Sequence, residues 1–126
     1  MTTVARTIHI VDDDDMVRDS LKALLESRGF AVSDYASAAE FLARDQDAAG
    51  ECVILDNHMP QMTGIELMQK LRERGDKVFV IMVTGRWDAA SRAQADALGV
   101  QAFLEKPLFG ARLFTEIERA MLRLAS

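Results

Sequence analysis

The sequence predicts a single α/β domain in which helices cover both faces of a five-stranded parallel sheet. Short apolar runs alternate five times with segments whose apolar residues recur at helical spacing, a pattern typical of a doubly wound (βα)5 fold. The chain has 126 residues, and because domains usually hold about 100 to 200 residues, we expect one domain over 1–126 with no second domain inside it. Hydrophobic residues make up 49% and charged residues 28% of the chain, which is enough apolar material for one core.

Five apolar runs have the length and composition of buried strands. The third and fourth are apolar throughout, and the fourth is rich in β-branched residues, so both faces of these strands are expected to be buried. The predicted strands are Thr7–Val11, Phe30–Ser33, Cys52–Leu55, Val78–Val83 and Ala102–Leu104.

Helical periodicity fills the segments between the strands. Ser37 and Glu40 have the spacing of a capping box, which predicts the start of a short second helix that buries Phe41 and Leu42. The other predicted helices are the stripe of Val17, Leu21, Leu24 and Leu25 ending at Gly29, Ile65–Arg72, the segment from the N-cap Asp88 to Leu98, and the stripe of Leu113, Ile117, Met121 and Leu124.

Charge and cysteine content exclude several classes of protein. Fifteen basic and 20 acidic residues give a net charge of −5, so we expect no direct nucleic-acid binding by this chain. Cys52 is the only cysteine, which excludes an internal disulfide and a Cys-rich metal site and fits a reducing compartment. The run Val78–Val83 is far shorter than the about 20 residues of a membrane helix, and no signal-peptide pattern opens the chain. We therefore expect a cytoplasmic protein that does not enter the membrane.

Acidic residues follow two of the predicted strands. Asp12 and Asp13 follow the first strand and Asp56 follows the third, and in open parallel sheets the carboxyl ends of strands form the ligand site. Carboxylates about 4 Å apart repel by about 4 kcal/mol at an effective dielectric constant near 20, which folding alone does not favour. Mg²⁺ accepts oxygen ligands of this kind. Three carboxylates, one Mg²⁺ and the ammonium of Lys106 sum to zero charge, and a site balanced in this way can accept a phosphoryl group on one of its carboxylates. Asp56 is the candidate nucleophile, which would form an aspartyl phosphate.

Four motifs resemble the receiver domain of bacterial two-component response regulators. They are IHIVDDDD, VILDNHMPQMTG, VTG and FLEKP, each at the end of its own predicted strand, and the resemblance runs from about His9 to about Leu124. VDDDD, YASAAEFL and VTGR are most similar to the branch of nitrogen-fixation regulators with helix-turn-helix outputs. The resemblance implies a flavodoxin-like sheet of order 2-1-3-4-5.

The resemblance also implies a role for each site residue. Asp56 becomes the phosphoacceptor, and Mg²⁺ is held by Asp12, Asp13, Asp56 and the backbone carbonyl of His58. The phosphoryl-binding and switch residues are Thr84, Gly85, Phe103 and Lys106, and the residues that tune the lifetime of the phosphoryl group are His58 and Arg86. The Lys-Pro bond of FLEKP is usually cis in this family.

The implied function is a phosphorylation-dependent signalling switch rather than an enzyme. A sensor histidine kinase would donate the phosphoryl group, and a conformational change would reach an output domain or downstream protein, with transcription as the expected output. A phosphorylation-dependent homodimer is a further expectation.

Simpler and rival interpretations exist for some of these residues. Asp14 and Asp15 are best explained as acids at the start of the first helix, where the helix dipole favours negative charge. Phe103 is equally a core aromatic of an edge strand. A Mg²⁺-dependent phosphohydrolase with an aspartyl-phosphate intermediate would use Asp12 and Asp14, but it would leave Asp56 without a role, and such enzymes usually carry a cap domain. Flavin binding and dinucleotide binding are disfavoured, because the sequence after the first strand lacks the phosphate-loop motifs that these proteins use.

Overall fold

The computed structural model describes residues 7–44, 51–75, 78–85, 87–108 and 110–124. Strands and helices alternate along these segments, as the sequence predicts. The strands are β1 (Thr7–Val11), β2 (Ala31–Tyr35), β3 (Cys52–Asp56), β4 (Phe79–Thr84) and β5 (Ala102–Glu105), and the helices are α1 (Asp15–Ser27), α2 (Ala38–Leu42), α3 (Gly64–Glu73), α4 (Ala89–Ala97) and α5 (Gly110–Leu124).

All neighbouring strands are parallel, and the sheet order is β2-β1-β3-β4-β5. The central strands β3 and β4 are buried along their whole length. Alternate residues of the strands point into two apolar clusters, one on each face of the sheet. The doubly wound fold and its strand order are therefore confirmed.

Strands β3, β4 and β5 each extend one residue beyond their predicted ends, and in β3 and β4 the added residue belongs to the site. Asp56 is the last residue of β3, in register with Val83, and Thr84 is the last residue of β4, in register with Glu105. The sequence predicted both as loop residues because their polar side chains end the apolar runs. Their backbones continue the sheet, so the pairing of the strands fixes the backbone positions from which these two side chains project. Strand β2 is also shifted, from 30–33 to Ala31–Tyr35.

The helix caps agree with the sequence except in one detail. Asp14 is the N-cap of α1, as predicted, and accepts hydrogen bonds from two backbone N–H groups of the first turn. Ser37 caps α2, but the carboxylate of Glu40 accepts from the N–H of Ala36 instead of Ser37, so the predicted capping box is only half formed. A complete box occurs at α3, between Thr63 and Glu66, where the sequence analysis had not placed one.

Cys52 is fully buried in the centre of the sheet, and burial raises the pKa of its thiol to about 12. Within the described segments, we find no helix with the length and hydrophobicity needed to cross a bilayer.

Candidate functional site

Three carboxylates converge at the carboxyl edge of the sheet, as predicted. Asp12 and Asp13 follow β1, Asp56 ends the neighbouring strand β3, and one oxygen of each lies within 4.8 Å of the others. Asp12 and Asp56 are buried, whereas Asp13 is exposed to solvent. Asp12 and Asp56 are each only 4% exposed, so their mutual repulsion is weakly screened.

Lys106 supplies a positive charge to the two buried carboxylates. Its Nζ donates to Oδ2 of Asp12 at 3.1 Å and to Oδ2 of Asp56 at 3.4 Å. The backbone N–H of Lys106 donates to the carbonyl of Thr84 at 2.8 Å, and the bond between Lys106 and Pro107 is cis. Burial by itself lowers the pKa of Lys106, but the hydrogen bonds and attraction of the two carboxylates outweigh it, so its pKa is raised.

The carboxyl group of Asp56 has a raised pKa. Burial is the largest cause, and the negative charge of Asp12 adds to it. The backbone N–H of His58, which donates to Oδ1 of Asp56 at 3.1 Å, and the ammonium of Lys106 act in the opposite direction without cancelling the rise. Ionised Asp56 is thus held at a free-energy cost that positive charge at the site would relieve.

The position of Asp12 depends on residues that the sequence analysis did not single out. The guanidinium of Arg18, in α1, donates to the backbone carbonyl of Asp12 at 2.7 Å. The backbone N–H of Asp14 donates to the carboxylate of Asp12 at 2.9 Å. Arg18 also pairs with Asp15 and Asp34. An Arg at the end of the first turn of α1 carries no sequence signal for this contact, which depends on the packing of the helix against β1 and β2.

The loop between β3 and α3 is fixed by a second residue that the sequence analysis missed. The side chain of Asn57, which is 8% exposed, accepts from the N–H of Ile65 at 3.1 Å, and its backbone N–H donates to Val83 at 2.9 Å. A Cβ on Gly64 would lie 2.9 Å from the Asp56 carbonyl oxygen and 2.9 Å from the Asn57 Cα. The backbone of α3 therefore approaches the end of β3 too closely for a side chain at this position.

Thr84 and Gly85 lie at the end of β4, beside the acids. The hydroxyl of Thr84 is buried and hydrogen-bonded to Nδ1 of His58 at 2.5 Å. Gly85 is exposed, and a Cβ there would meet no atom within 4 Å. An open cleft of about 440 Å³ above the acids is lined by Asp13, Asp14, Asp56, His58, Gly85 and Lys106.

Phe103 is half-buried on the edge strand β5, in contact with two residues from α4 and the loop before it. The ring of Trp87 meets it edge-on at 5.2 Å, and the guanidinium of Arg92 lies 4.7 Å from its centre. The indole N–H of Trp87 donates to the carbonyl of Leu104 at 3.2 Å. The predicted tuning residue Arg86 lies outside the described residues.

The donor set fits a hard divalent cation. All three side chains offer carboxylate oxygens, one of them is solvent-exposed, and the cleft leaves room for water. Such oxygen-only sites with open positions suit Mg²⁺, which keeps several water ligands. A cation here would also offset the clustered negative charge that Lys106 balances only in part.

Comparison with known proteins identifies the family. The family model of the response regulator receiver domain matches residues 8–118. The chain belongs to the response regulator receiver domain family. This receiver domain is 40% identical over 118 residues to the transcriptional regulatory protein FixJ of Azorhizobium caulinodans and 35% identical over 125 residues to the response regulator protein TodT of Pseudomonas putida.

A solved structure agrees with this assignment. The crystal structure of FixJ-N superposes with a TM-score of 0.86 at 36% identity, and the match covers 95% of this receiver domain and 96% of that chain. The FixJ and TodT matches cover 94% and 99% of this chain but 56% and 55% of the relatives. The receiver domain thus spans about half the length of the curated relatives that it matches.

The structure favours this assignment over the phosphohydrolase alternative. That alternative needs a free carboxylate on Asp14, but Asp14 is exposed and its Oδ1 accepts from the N–H groups of Met16 and Val17 as the cap of α1. Asp56, for which the alternative has no role, lies inside the acid cluster.

Proposed function

We propose that Asp56 accepts a phosphoryl group from a sensor histidine kinase and that the chain passes this event to an output as a conformational change. The observation that carries the proposal is the position of Asp56, which is buried at the end of β3 with Asp12 and Asp13 within 4.8 Å and the Lys106 ammonium at 3.4 Å. A phosphoryl group on this carboxylate would project into the open cleft.

In the proposed reaction, a carboxylate oxygen of Asp56 attacks phosphorus. An O–P bond forms as the N–P bond of a donor phosphohistidine breaks, and the imidazole nitrogen keeps the electron pair and takes a proton from water. Lys106 would turn its ammonium to the phosphoryl oxygens, and the absence of a side chain on Gly85 would leave them room. Mg²⁺ held by Asp12, Asp13, Asp56 and the backbone carbonyl of His58 would supply positive charge for the same oxygens.

The switch would operate through Thr84 and Phe103. Thr84 would donate its hydroxyl to a phosphoryl oxygen, and Phe103 would move towards the space that Thr84 leaves. The contacts of Phe103 with Trp87 and Arg92 support this assignment, because they join the switch to α4 and its preceding loop, where a partner could detect the change. His58 and Arg86 are the proposed tuning residues for the lifetime of the phosphoryl group.

The proposed setting follows from the relatives. FixJ is named a transcriptional regulatory protein, and we propose that residues 1–126 form a receiver domain whose output is transcriptional and is supplied by another segment or protein. We further propose a cytoplasmic location, a phosphorylation-dependent homodimer, and signalling rather than catalytic turnover as the role of the chain.

Labelling with acetyl phosphate tests the proposal. With Mg²⁺ present, the wild-type chain should incorporate at most one phosphoryl group, and Asp56→Asn should incorporate none. Asp96→Asn, at the far end of α4, is the matched control and should be labelled like the wild type. Labelling of Asp56→Asn would refute the nucleophile assignment, and sustained release of phosphate at enzymatic rates would favour a phosphohydrolase.

A further inference from the structure

The imidazole of His58 holds the hydroxyl of Thr84 before any phosphoryl group is present. Nδ1 of His58 and Oγ1 of Thr84 lie 2.5 Å apart, which is a short hydrogen bond. The two residues come from different elements, the β3–α3 loop and the end of β4. This contact joins the loop that carries the phosphoacceptor to the proposed switch residue.

The loop that carries His58 is well anchored, so the imidazole offers a fixed partner. The backbone N–H of His58 donates to Asp56 at 3.1 Å, and the neighbouring Asn57 is bonded to Val83 and Ile65. Although His58 as a whole is exposed, its Nδ1 is turned inward to Thr84. His58 also lines a cleft shared with Ser91 and Gln94 of α4.

A threonine hydroxyl has one proton to donate. In the tautomer whose Nδ1 carries no proton, His58 accepts the hydroxyl proton of Thr84, and this proton is then not available to a phosphoryl oxygen on Asp56. Thr84 must therefore exchange its imidazole partner for a phosphoryl partner when the switch operates. The free energy of the existing bond opposes this exchange.

We propose that His58 is a positioning residue that holds Thr84 in the unphosphorylated arrangement and so weakens the response of the switch to the phosphoryl group. The inference rests on the proposed function, and it assigns the tuning role of His58 to its bond with Thr84 rather than to control of water. The proposed Mg²⁺ ligand is the backbone carbonyl of His58, a group that every side-chain substitution retains.

Substitutions at His58 can separate the hydrogen bond from the shape of the side chain. His58→Asn places an amide atom at the position of Nδ1 and can keep the bond, whereas His58→Leu has nearly the same shape as Asn and removes it. Thr84→Val keeps the branched shape of Thr84 and removes the hydroxyl. The four combinations of His58→Leu and Thr84→Val form a double-mutant cycle.

The readout is the affinity for beryllium fluoride in the presence of Mg²⁺, a mimic of the phosphoryl group. Trp87 is the only tryptophan in the chain and contacts Phe103, so its fluorescence can follow both binding and the movement of the switch. We expect His58→Leu to bind the mimic about two- to tenfold more tightly than the wild type, the range that one hydrogen bond gives. His58→Asn should stay near the wild type, and His58→Leu should have no effect in the Thr84→Val background.

The other outcomes overturn the inference. Unchanged or weaker binding by His58→Leu, or an equal gain with and without the Thr84 hydroxyl, would mean that His58 does not act through Thr84. If the wild-type chain binds the mimic and is labelled on Asp56, such a result refutes this inference alone. If the wild-type chain does neither, the proposed function fails together with it.

Discussion

The ammonium of Lys106 lies 3.1 Å from a carboxylate oxygen of Asp12, although 94 positions of sequence separate the two residues. The same ammonium reaches Asp56 at 3.4 Å. One ammonium is therefore shared between the carboxylate of Asp12, which follows β1, and the carboxylate of Asp56, which ends β3.

Removing this ammonium should destabilise the metal-free fold. Lys106→Met leaves Asp12 and Asp56 buried without their cation, and such losses cost about 3 to 5 kcal/mol for fully buried pairs. The Lys106 side chain is 28% exposed, so we expect a smaller loss, about 1 to 3 kcal/mol, in the free energy of unfolding measured with urea and EDTA. Lys70→Met, at an exposed position of α3, is the control. Equal stability of the two variants would show that Lys106 does not stabilise the acids.

Relieving the repulsion among the acids should have the opposite effect. Asp13 is the exposed member of the cluster, so its repulsion is close to the value in water, about 1 kcal/mol at 4 Å. Without metal, Asp13→Asn should raise the melting temperature by a few degrees. With Mg²⁺, the wild type should gain more than the variant, because the variant lacks one of the proposed ligands. A lower melting temperature for the metal-free variant would contradict the crowding of the carboxylates.

The raised pKa of Asp56 predicts a pH dependence of stability. The folded state holds this proton more tightly than the unfolded state, in which the pKa is about 3.9. Stability contributed by the protonated form is therefore full below about pH 4 and is lost as the pH rises through the pKa of the folded state.

Metal-free urea titrations of the wild type and Asp56→Asn at several pH values measure this contribution. The variant should become more stable relative to the wild type as the pH rises across that window. A difference that stays constant with pH, or that shrinks, would show that the pKa of Asp56 is not raised.

Gly64 and Gly85 should respond differently to the addition of one methyl group. The Cβ of Gly64→Ala would lie 2.9 Å from backbone atoms of both Asp56 and Asn57, and overpacking of this kind costs about 1 to 3 kcal/mol. Gly85→Ala meets open space and should change the free energy of unfolding by less than about 0.5 kcal/mol.

The two glycine variants also separate stability from phosphorylation. Gly85→Ala should slow labelling by acetyl phosphate, because its methyl group narrows the entry to Asp56, while its melting curve stays like that of the wild type. If Gly64→Ala were as stable as Gly85→Ala, the close approach of α3 to the end of β3 would not constrain the site.

The convergence of the acids and Lys106 could be predicted because it depends only on topology. Each residue follows an apolar run, and parallel strands bring their carboxyl ends to one edge of the sheet. The cap at Asp14 was predictable for a similar reason, since a local spacing determines it. These features need no knowledge of side-chain torsions.

The contacts that refine the site could not be predicted in this way. The bond between His58 and Thr84, the packing of Trp87 on Phe103 and the reach of Arg18 to the Asp12 carbonyl each depend on a rotamer set by tertiary packing. The half-formed capping box at Glu40 is a further example, because its carboxylate accepts from the backbone N–H of Ala36, which the spacing of Ser37 and Glu40 does not reveal.

The burial of Cys52 makes the reactivity of its thiol a probe of unfolding. Its side chain is fully buried in the apolar cluster that packs α1 and α5 against the sheet, so a water-borne alkylating reagent can reach the thiol only when this packing opens. Phe103 packs against the other apolar cluster, on the opposite face of the sheet, so we expect its proposed movement to leave the packing around Cys52 closed. The rate of alkylation of Cys52 should therefore measure unfolding and should not respond to the proposed movement of the switch residues. The two processes can then be followed separately in one sample.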